Sequence, residues 1–225
     1  MTKKELFFTI KNWKYIIYQN FSFSQEGEDL ILFHLLGGLY RKNRVFYVDI
    51  GAHHPIKWSN TMKFYLNNGS GINIDAMPGS MKAFNRVRPN DINVEAGISE
   101  EGGVLEYYSF KEGAYNTFDK ESADEAIEKG VILKEKIKVN TYPINTILEK
   151  YLEDGQHIDF IDIDVEGFDE LIVKQLDWNK YNPDYVLIEI FHNKNNTIEE
   201  ILNKNNYVCV GMTRKARIFR RKDLV

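Results

Sequence analysis

Residues 46–55 read Phe-Tyr-Val-Asp-Ile-Gly-Ala-His-His-Pro, and no other stretch restricts the chain as much. Phe46, Tyr47, Val48 and Ile50 have the aromatic and β-branched character of a buried strand, interrupted by a single carboxylate at Asp49. Gly51 permits a sharp turn and a close backbone approach, and Pro55 stops the strand from continuing. Ser59, Asn60 and Thr61 are N-cap candidates for a helix over residues 61–68, with Gly69 as its C-cap. The order is strand, tight turn, short loop, helix. A ligand lying across that turn meets a carboxylate, a bare backbone and a helix N-terminus.

Two further strands fit this one. Residues 71–75 are short and apolar and end on Asp75, at about the spacing from the glycine turn where a βαβ unit places a ribose-binding carboxylate. Residues 159–167 form a strand that runs into Asp162, Asp164 and Glu166. Asp162 and Asp164 alternate, so both face one side of the sheet, where a charged pair is rarely core because its desolvation is costly. Glu189 follows the apolar run Val186-Leu187-Ile188, with His192 just beyond, so its charge needs a partner or a metal.

The remaining pattern predicts a helix over 24–36 opened by Ser24, a third strand over 92–98, and a strand over 104–110. A charged helix over 120–129 and a half-exposed strand over 131–142 follow. Helices over 143–152, 168–176 and 197–203 alternate with a strand over 185–191, and residues 207–212 and 216–221 form a terminal hairpin. Strands alternating with helices, closed by an antiparallel pair, describe an α/β fold. Its form is a doubly wound, mostly parallel sheet with an antiparallel edge strand.

With 225 residues, 43% of them hydrophobic, the chain can bury one sizeable core. A formal net charge of -4 gives no footprint of a nucleic-acid binder. Cys209 is the sole cysteine, which excludes an internal disulfide and fits a reducing compartment. No stretch approaches the apolar length of a membrane span, and no signal-peptide pattern opens the chain, so the expected location is cytoplasmic. Residues 1–23 are aromatic and basic and read as an N-terminal helical segment packing on the domain or on a second copy in a homo-oligomer. A peripheral membrane helix and a disordered arm are the other readings of that segment. Residues 24–225 form the main domain.

Several of these motifs carry a resemblance. Tyr47-Val-Asp-Ile-Gly-Ala52, Ile72-Asn-Ile-Asp75 and Ile163-Asp-Val-Glu-Gly167 resemble the FkbM family of S-adenosylmethionine-dependent methyltransferases. Ser24-Gln25-Glu26-Gly27-Glu28-Asp29 and Arg88-Pro89-Asn90-Asp91 resemble flanking motifs of one branch of it. The resemblance extends over residues 23–192. It departs from the family where His53, His54 and Pro55 replace the usual glycine beyond Gly51.

The resemblance implies a Rossmann-like class I methyltransferase domain. It implies S-adenosylmethionine at Asp49, Gly51, Ala52, His53, Asp75 and Ala76, with Gln25 and Glu28 over the cofactor or substrate pocket. Simple helix capping is the competing role for Gln25 and Glu28. NAD uses the same geometry, but the missing glycine continuation argues against a pyrophosphate there. The resemblance also implies O-methylation of a hydroxyl. The favoured acceptor is a nucleotide-activated sugar destined for a bacterial surface polysaccharide, capsule or lipopolysaccharide. A small secondary metabolite is the alternative, and a non-catalytic scaffold subunit in glycan assembly is a third reading.

A sugar hydroxyl is a poor nucleophile at neutral pH and needs a general base or a metal that lowers its pKa. Asp164, Glu189 and His192 are the candidates for either role, with His53 as the alternative imidazole. Carboxylates with one imidazole suit Mg²⁺ or Mn²⁺. The strand over 92–98 would border the adenine pocket, so Asp91 just before it or Glu95 within it could face that pocket, with a solvated turn acid as the other reading. Arg214, Lys215, Arg217, Arg220, Arg221 and Lys222 crowd the last hairpin, either as a solvated edge or as a phosphate clamp.

Overall fold

The computed structural model describes residues 20–41, 43–165, 167–189 and 196–224. Among these residues there are ten strands: β1 Phe46–Ile50, β2 Ser70–Asp75, β3 Ile92–Glu95, β4 Gly97–Ile98, β5 Gly103–Phe110, β6 Leu133–Tyr142, β7 Phe160–Ile163, β8 Tyr185–Glu189, β9 Tyr207–Met212 and β10 Ala216–Arg221. The helices are α1 Glu28–Leu35, α2 Met62–Leu66, α3 Met81–Val87, α4 Lys120–Glu128, α5 Ile144–Tyr151, α6 Asp169–Gln175, α7 Trp178–Tyr181 and α8 Asn196–Lys204.

The main sheet has seven strands in the order β3-β2-β1-β7-β8-β10-β9. The first five are mutually parallel, and β10 runs antiparallel to both β8 and β9. The terminal hairpin therefore makes the antiparallel edge, with β10 inserted between β8 and β9.

Register matters more than order for function. Ile50 lies beside both Ile74 and Ile163, and Ile163 lies beside Ile188. The next residues along these strands, Gly51, Asp75, Asp164 and Glu189, therefore finish abreast at one end of the sheet. That line is the carboxyl edge where open α/β sheets bind ligands.

Alternation along the strands divides the core in two. Val48, Ile72, Ile161 and Val186 face α5, α6 and α8 through Ile147, Ile172 and Leu202. Tyr47, Phe160, Tyr185 and Leu187 face the other way, onto Leu32 and Phe33 of α1 and Phe64 of α2. Both faces are covered, as a parallel sheet requires. Asp49 and Asp162 lie on the α1–α2 side, side by side in register.

Two elements differ from the sequence reading. The third strand was expected to run over 92–98, but β3 ends at Glu95 and Gly97–Ile98 pairs with β6 in a separate sheet ordered β4-β6-β5. The chain turns out here because Gly97 leaves space for a ring. A Cβ at Gly97 would lie 2.4 Å from the Phe118 side chain. The first helix begins at Glu28 rather than at Ser24, since Gly27 stands in the left-handed region at φ 92. The Ser24 hydroxyl instead accepts the Gly27 N–H at 3.1 Å and donates to Asp29 at 2.9 Å. Residues 1–19 of the N-terminal segment lie outside the described residues.

Candidate active site

The turn after β1 is closed by glycine for a reason internal to the sheet. Gly51 has φ 89, and a Cβ there would lie 1.7 Å from the Asp164 carbonyl oxygen. The close approach expected at this glycine is thus made by the neighbouring strand. Gly51 and Ala52 both donate their N–H to the Ile74 carbonyl, at 2.9 and 3.0 Å. His53 then takes φ 51, a left-handed conformation uncommon for a side chain of this size. This swings its N–H onto Asp75 Oδ2 at 2.9 Å, while Met77 N–H reaches Oδ1 at 2.8 Å. The Asp75 carboxylate is held square to the cavity by two backbone donors. His54 Nδ1 accepts the N–H groups of Ile56 and Lys57 at 3.0 and 2.9 Å. His53 and His54 thereby fix the path of the loop. Burial lowers the pKa of both imidazoles, so both are neutral at pH 7.

Behind the turn lies a stack of acids with dedicated donors. Ser59 Oγ caps α2 by accepting Met62 N–H at 3.1 Å. Asn60 and Thr61, the other two cap candidates, are turned to other work. Thr61 Oγ1 donates to Asp49 at 2.5 Å and Asn60 Nδ2 donates to Asp162 at 3.0 Å. Burial pushes Asp49 up to about 6, against the pull of Arg88 and the Thr61 hydroxyl. Asp162 and Asp164 are pushed well above the carboxylate range, first by burial. Asp49 and Asp164 add to the shift at Asp162, and Glu189 adds most to that at Asp164. Asp164 and Glu189 are also hydrogen-bonded to each other through their carboxyl groups. Two carboxyls in such contact share one proton.

Arg88 anchors the base of this stack. Its side chain is wholly buried, with Nε on Asp91 at 2.8 Å, Nη1 on Thr61 Oγ1 at 2.9 Å and Nη2 on Tyr47 OH at 2.8 Å. Asp91 also accepts Gly71 N–H at 3.0 Å and Asn73 Nδ2 at 2.9 Å. The Arg-Pro-Asn-Asp motif is therefore a buried girder, and Asp91 is neither a solvated turn acid nor an adenine contact. Glu95 accepts Gly79 N–H at 2.7 Å.

A cavity of about 620 Å³ lies over the carboxyl edge, within the range of small-molecule sites. Asp49, Gly51, Ala52 and His53 border it from the first turn, Asp75 and Ala76 from the second, and Gln25 and Asp164 from one flank. Its roof comes from Tyr107 and Phe110 of β5 and from Phe118 in the segment between β5 and β6. A smaller recess opens beside it. Gln25, Trp58, Asn60, Asp162 and Asp164 border both spaces, while Glu28 and Glu189 border only the recess. Glu28 is buried there, accepting Glu26 N–H at 2.9 Å and the Thr213 hydroxyl at 2.8 Å. His192 and Glu166 lie outside the described residues.

Among the described residues four of the hairpin's six cations have acid partners: Arg214 meets Glu26 at 3.0 Å, Lys215 meets Glu189 at 3.8 Å, Arg217 meets Glu199, and Arg221 meets Asp184 and Asp223. Among the described residues one trio has the spacing of a metal site, His157, Asp159 and Asp184. It lies at the amino ends of β7 and β8, where Arg41 and Arg221 pair with its acids.

The methyltransferase FkbM domain model matches residues 49–209. The chain belongs to the FkbM methyltransferase family. Its family portion starts at Asp49 and ends at Cys209, so it takes in the first turn, both acidic strand ends and the insertion that roofs the cavity. α1 and β10 fall outside it. A methyltransferase FkbM from Methylobacillus flagellatus superposes with a TM-score of 0.51 at 12% identity, over 88% of this chain and 48% of that one. This chain spans about half the length of that family member. A 1,6-didemethyltoxoflavin-N1-methyltransferase from Burkholderia thailandensis, solved with 1,6-didemethyltoxoflavin and S-adenosylhomocysteine, aligns with a TM-score of 0.46 at 10% identity. That alignment covers 98% of this chain and 87% of that one. None of the curated proteins matches the chain. No helix among the described residues is long and apolar enough to cross a membrane.

Two groups of site residues escaped the sequence reading. Trp58 sits in the left-handed region at φ 59 and lines both spaces, and nothing in its sequence context marks it. The roof residues come from the insertion after β3, whose strands and helix the sequence pattern gives but whose place over the cavity it does not.

Proposed function

We propose that this chain is an O-methyltransferase that moves the methyl group of S-adenosylmethionine to a hydroxyl of a sugar. One observation carries the reading: Gly51, Asp75, Asp164 and Glu189 finish abreast at one edge of the sheet, the first three on the main cavity and Glu189 on the recess that adjoins it. A ribose-type carboxylate and a proton-accepting pair thus border two adjoining spaces that share Asp164.

The residues fit the cofactor. The Asp75 carboxylate takes the His53 and Met77 N–H groups and the Ser80 hydroxyl, and with about four lone-pair sites it retains acceptor capacity for a ribose hydroxyl. Ala52 and Ala76 keep the wall low beside it, and Asp49 stands behind the turn. When bound, S-adenosylmethionine supplies a methyl on a sulfonium that leaves as a neutral thioether. The chain's own part is to align the acceptor and take its proton. Asp164 and Glu189 are placed for that proton, and His192 is the further candidate. A Mg²⁺ or Mn²⁺ held by Asp164, Glu189 and His192 is the alternative means of activation, with the metal taking the place of the shared proton.

The acceptor surroundings suit a hydroxyl-rich ring. Asn60, Gln25, Asp162 and Asp164 offer carboxylates and side-chain amides around the opening, a set that reads hydroxyl groups. The finer reading is a nucleotide-activated sugar destined for a bacterial surface polysaccharide, methylated in the cytoplasm. The test is a screen of nucleotide sugars, free glycosides and small hydroxylated metabolites, with mass detection of a one-methyl gain. Calorimetry with S-adenosylhomocysteine and with NAD runs in parallel. Methyl gain on a nucleotide sugar is expected. Gain only on nucleotide-free metabolites replaces the sugar reading, and heat with NAD alone overturns the cofactor.

A further inference from the structure

The loop between β1 and α2 holds one large side chain in a strained place. Among the described residues five that are not glycine have a left-handed φ. Asn68, Asn182 and Asn206 do not border the cavity, and asparagine tolerates that conformation in an ordinary turn. The other two, His53 and Trp58, both border it. The conformation of His53 turns its N–H onto Asp75. Trp58 has no such reason: among the described residues it donates neither its backbone nor its indole N–H. A turn that needed only its φ of 59 would be served by glycine or asparagine.

The strain is held from both sides. Ile56 and Lys57 give their N–H groups to His54 Nδ1 at 3.0 and 2.9 Å. Beyond Trp58, Ser59 Oγ takes Met62 N–H, Asn60 is fixed on Asp162, and Thr61 is fixed on Asp49. A strained residue persists only where its neighbours are tied this firmly. Yet Trp58 itself is 43% exposed, so packing does not explain the choice of an indole.

The indole stands where the main cavity and the recess meet, bordering both. Lys57 Nζ lies 3.7 Å from its ring centroid and covers one face. His53 is inclined by 19° at 6.2 Å, which places it beside the ring rather than over it. A rigid, flat, apolar surface is left open. Asn60 and Gln25 border the same two spaces. Asn60 Nδ2 is given to Asp162 at 3.0 Å and Gln25 Oε1 accepts Lys215 Nζ at 3.1 Å, so each amide is fixed by one end and keeps the other. A planar aromatic acceptor would use the indole and leave those amide ends unpaired. A pyranose uses both, with its C–H face on the indole and its hydroxyls on the amides.

We infer that Trp58 is a positioning residue, the platform on which the pyranose ring of the acceptor lies by its C–H face. The inference rests on the O-methyltransferase reading above. Trp58 fixes the plane of the ring and therefore which hydroxyl meets the methyl group.

The test uses the full chain saturated with S-adenosylhomocysteine. NMR follows the Trp58 indole N–H, assigned as the signal that Trp58→Phe removes, and the Asn60 side-chain amide. The probes are the methyl glycosides of glucose, galactose and mannose, the open-chain polyol sorbitol, and the planar diol catechol. At least one glycoside is expected to shift the Trp58 signal, and sorbitol to leave it unmoved. No shift from any glycoside, an equal shift from sorbitol, or a shift from catechol alone overturns the proposal. Three variants, read at Asn60, then separate ring from backbone. Trp58→Phe keeps a flat ring and should bind the glycoside within about threefold of the parent. Trp58→Gly suits the backbone but has no ring, and Trp58→Ala has neither advantage, so both should bind at least about tenfold more weakly. A Trp58→Gly variant that binds like the parent would credit the shape of the loop and overturn the platform. Calorimetry with S-adenosylhomocysteine should give the parent's affinity in all three variants, which also shows that the site has kept its fold. A loss there equal to the loss for the glycoside assigns Trp58 to the cofactor and overturns the proposal. No S-adenosylhomocysteine binding by the parent sinks the methyltransferase assignment and this inference with it. Normal binding with an unmoved Trp58 sinks only the platform.

Discussion

Asp164 and Glu189 stand at the ends of adjacent parallel strands with their carboxyl groups hydrogen-bonded to each other. The pair shares a proton, and burial with mutual repulsion raises Asp164 well above the usual carboxylate range. One member is then available as a base while the other holds the proton. Glu189→Gln and Asp164→Asn are each expected to cut turnover by roughly 10²–10⁴ with near-normal S-adenosylhomocysteine affinity. Turnover that survives EDTA assigns the role to the pair as a base. Turnover lost to EDTA and restored by Mg²⁺ or Mn²⁺ assigns it to a metal. Unchanged rates in both variants would place the chemistry elsewhere on the sheet.

Asp75 presents its carboxylate to the cavity by way of His53 and Met77 N–H donors. Asp75→Ala removes the acceptor of a ribose diol and leaves those donors unpaired. A hydrogen bond to a charged group contributes about 1.5–3 kcal/mol, so affinity for S-adenosylhomocysteine should fall roughly 10- to 100-fold. Calorimetric titration reads this directly, and an unchanged dissociation constant would remove Asp75 from the cofactor site.

Much of this arrangement is legible in the sequence because it is local. The run around Asp49 and Gly51 announces its strand and turn, and Asp75 announces itself by spacing. The terminal hairpin, at Tyr207–Met212 and Ala216–Arg221, falls where alternation places it. What stays hidden depends on contacts between distant segments. Arg88 is marked in the sequence only as part of a flanking motif, yet it is buried because Tyr47, Thr61 and Asp91 converge on it from three segments. Asn60 and Thr61 read as caps because cap and carboxylate donor call for the same residue types. Gly97 reads as an interior strand glycine until Phe118, twenty-one residues on, is seen to fill its place.

The two glycines Gly51 and Gly79 separate steric overlap from backbone strain. Both have left-handed φ, 89 and 84. A Cβ at Gly51 meets a backbone carbonyl at 1.7 Å, while one at Gly79 meets nothing within 4 Å. Gly79→Ala should cost about 1–2 kcal/mol. Gly51→Ala must also push β1 and β7 apart and should cost at least about 3 kcal/mol. Urea denaturation of the two variants checks the order, and equal losses would mean that the sheet edge yields easily.

Arg88 and Asp91 form an ion pair with neither side chain exposed. Arg88→Met leaves Asp91 buried without its cation and takes from Thr61 a neighbour that helps it hold Asp49. Breaking one side of such a pair costs about 3–5 kcal/mol. The double variant Arg88→Met with Asp91→Asn should recover part of that, since no uncompensated charge remains. A single variant as stable as the parent would show that water reaches Asp91.

Asp49 makes stability depend on pH in a direction opposite to the usual paired carboxylate. Its pKa is raised by burial from 3.8 to about 6 in the folded chain. Between those values the folded state holds a proton that the unfolded state has released, so raising the pH favours unfolding. The stabilising contribution of the neutral acid is complete below pH 4 and is lost as the pH climbs through about 6. The difference between the two pKa values corresponds to about 3 kcal/mol. Asp49→Asn keeps an oxygen for the Thr61 hydroxyl but cannot titrate. Asp162 and Asp164 are raised as well, and they remain in both proteins. Comparing urea denaturation of the parent and Asp49→Asn from pH 4 to pH 7.5 therefore reads the titration of Asp49 together with its effect on Asp162. The parent should lose about 3 kcal/mol relative to the variant across that interval. Parallel curves would mean that Asp49 keeps an ordinary pKa, and that Arg88 and Thr61 offset its burial in full.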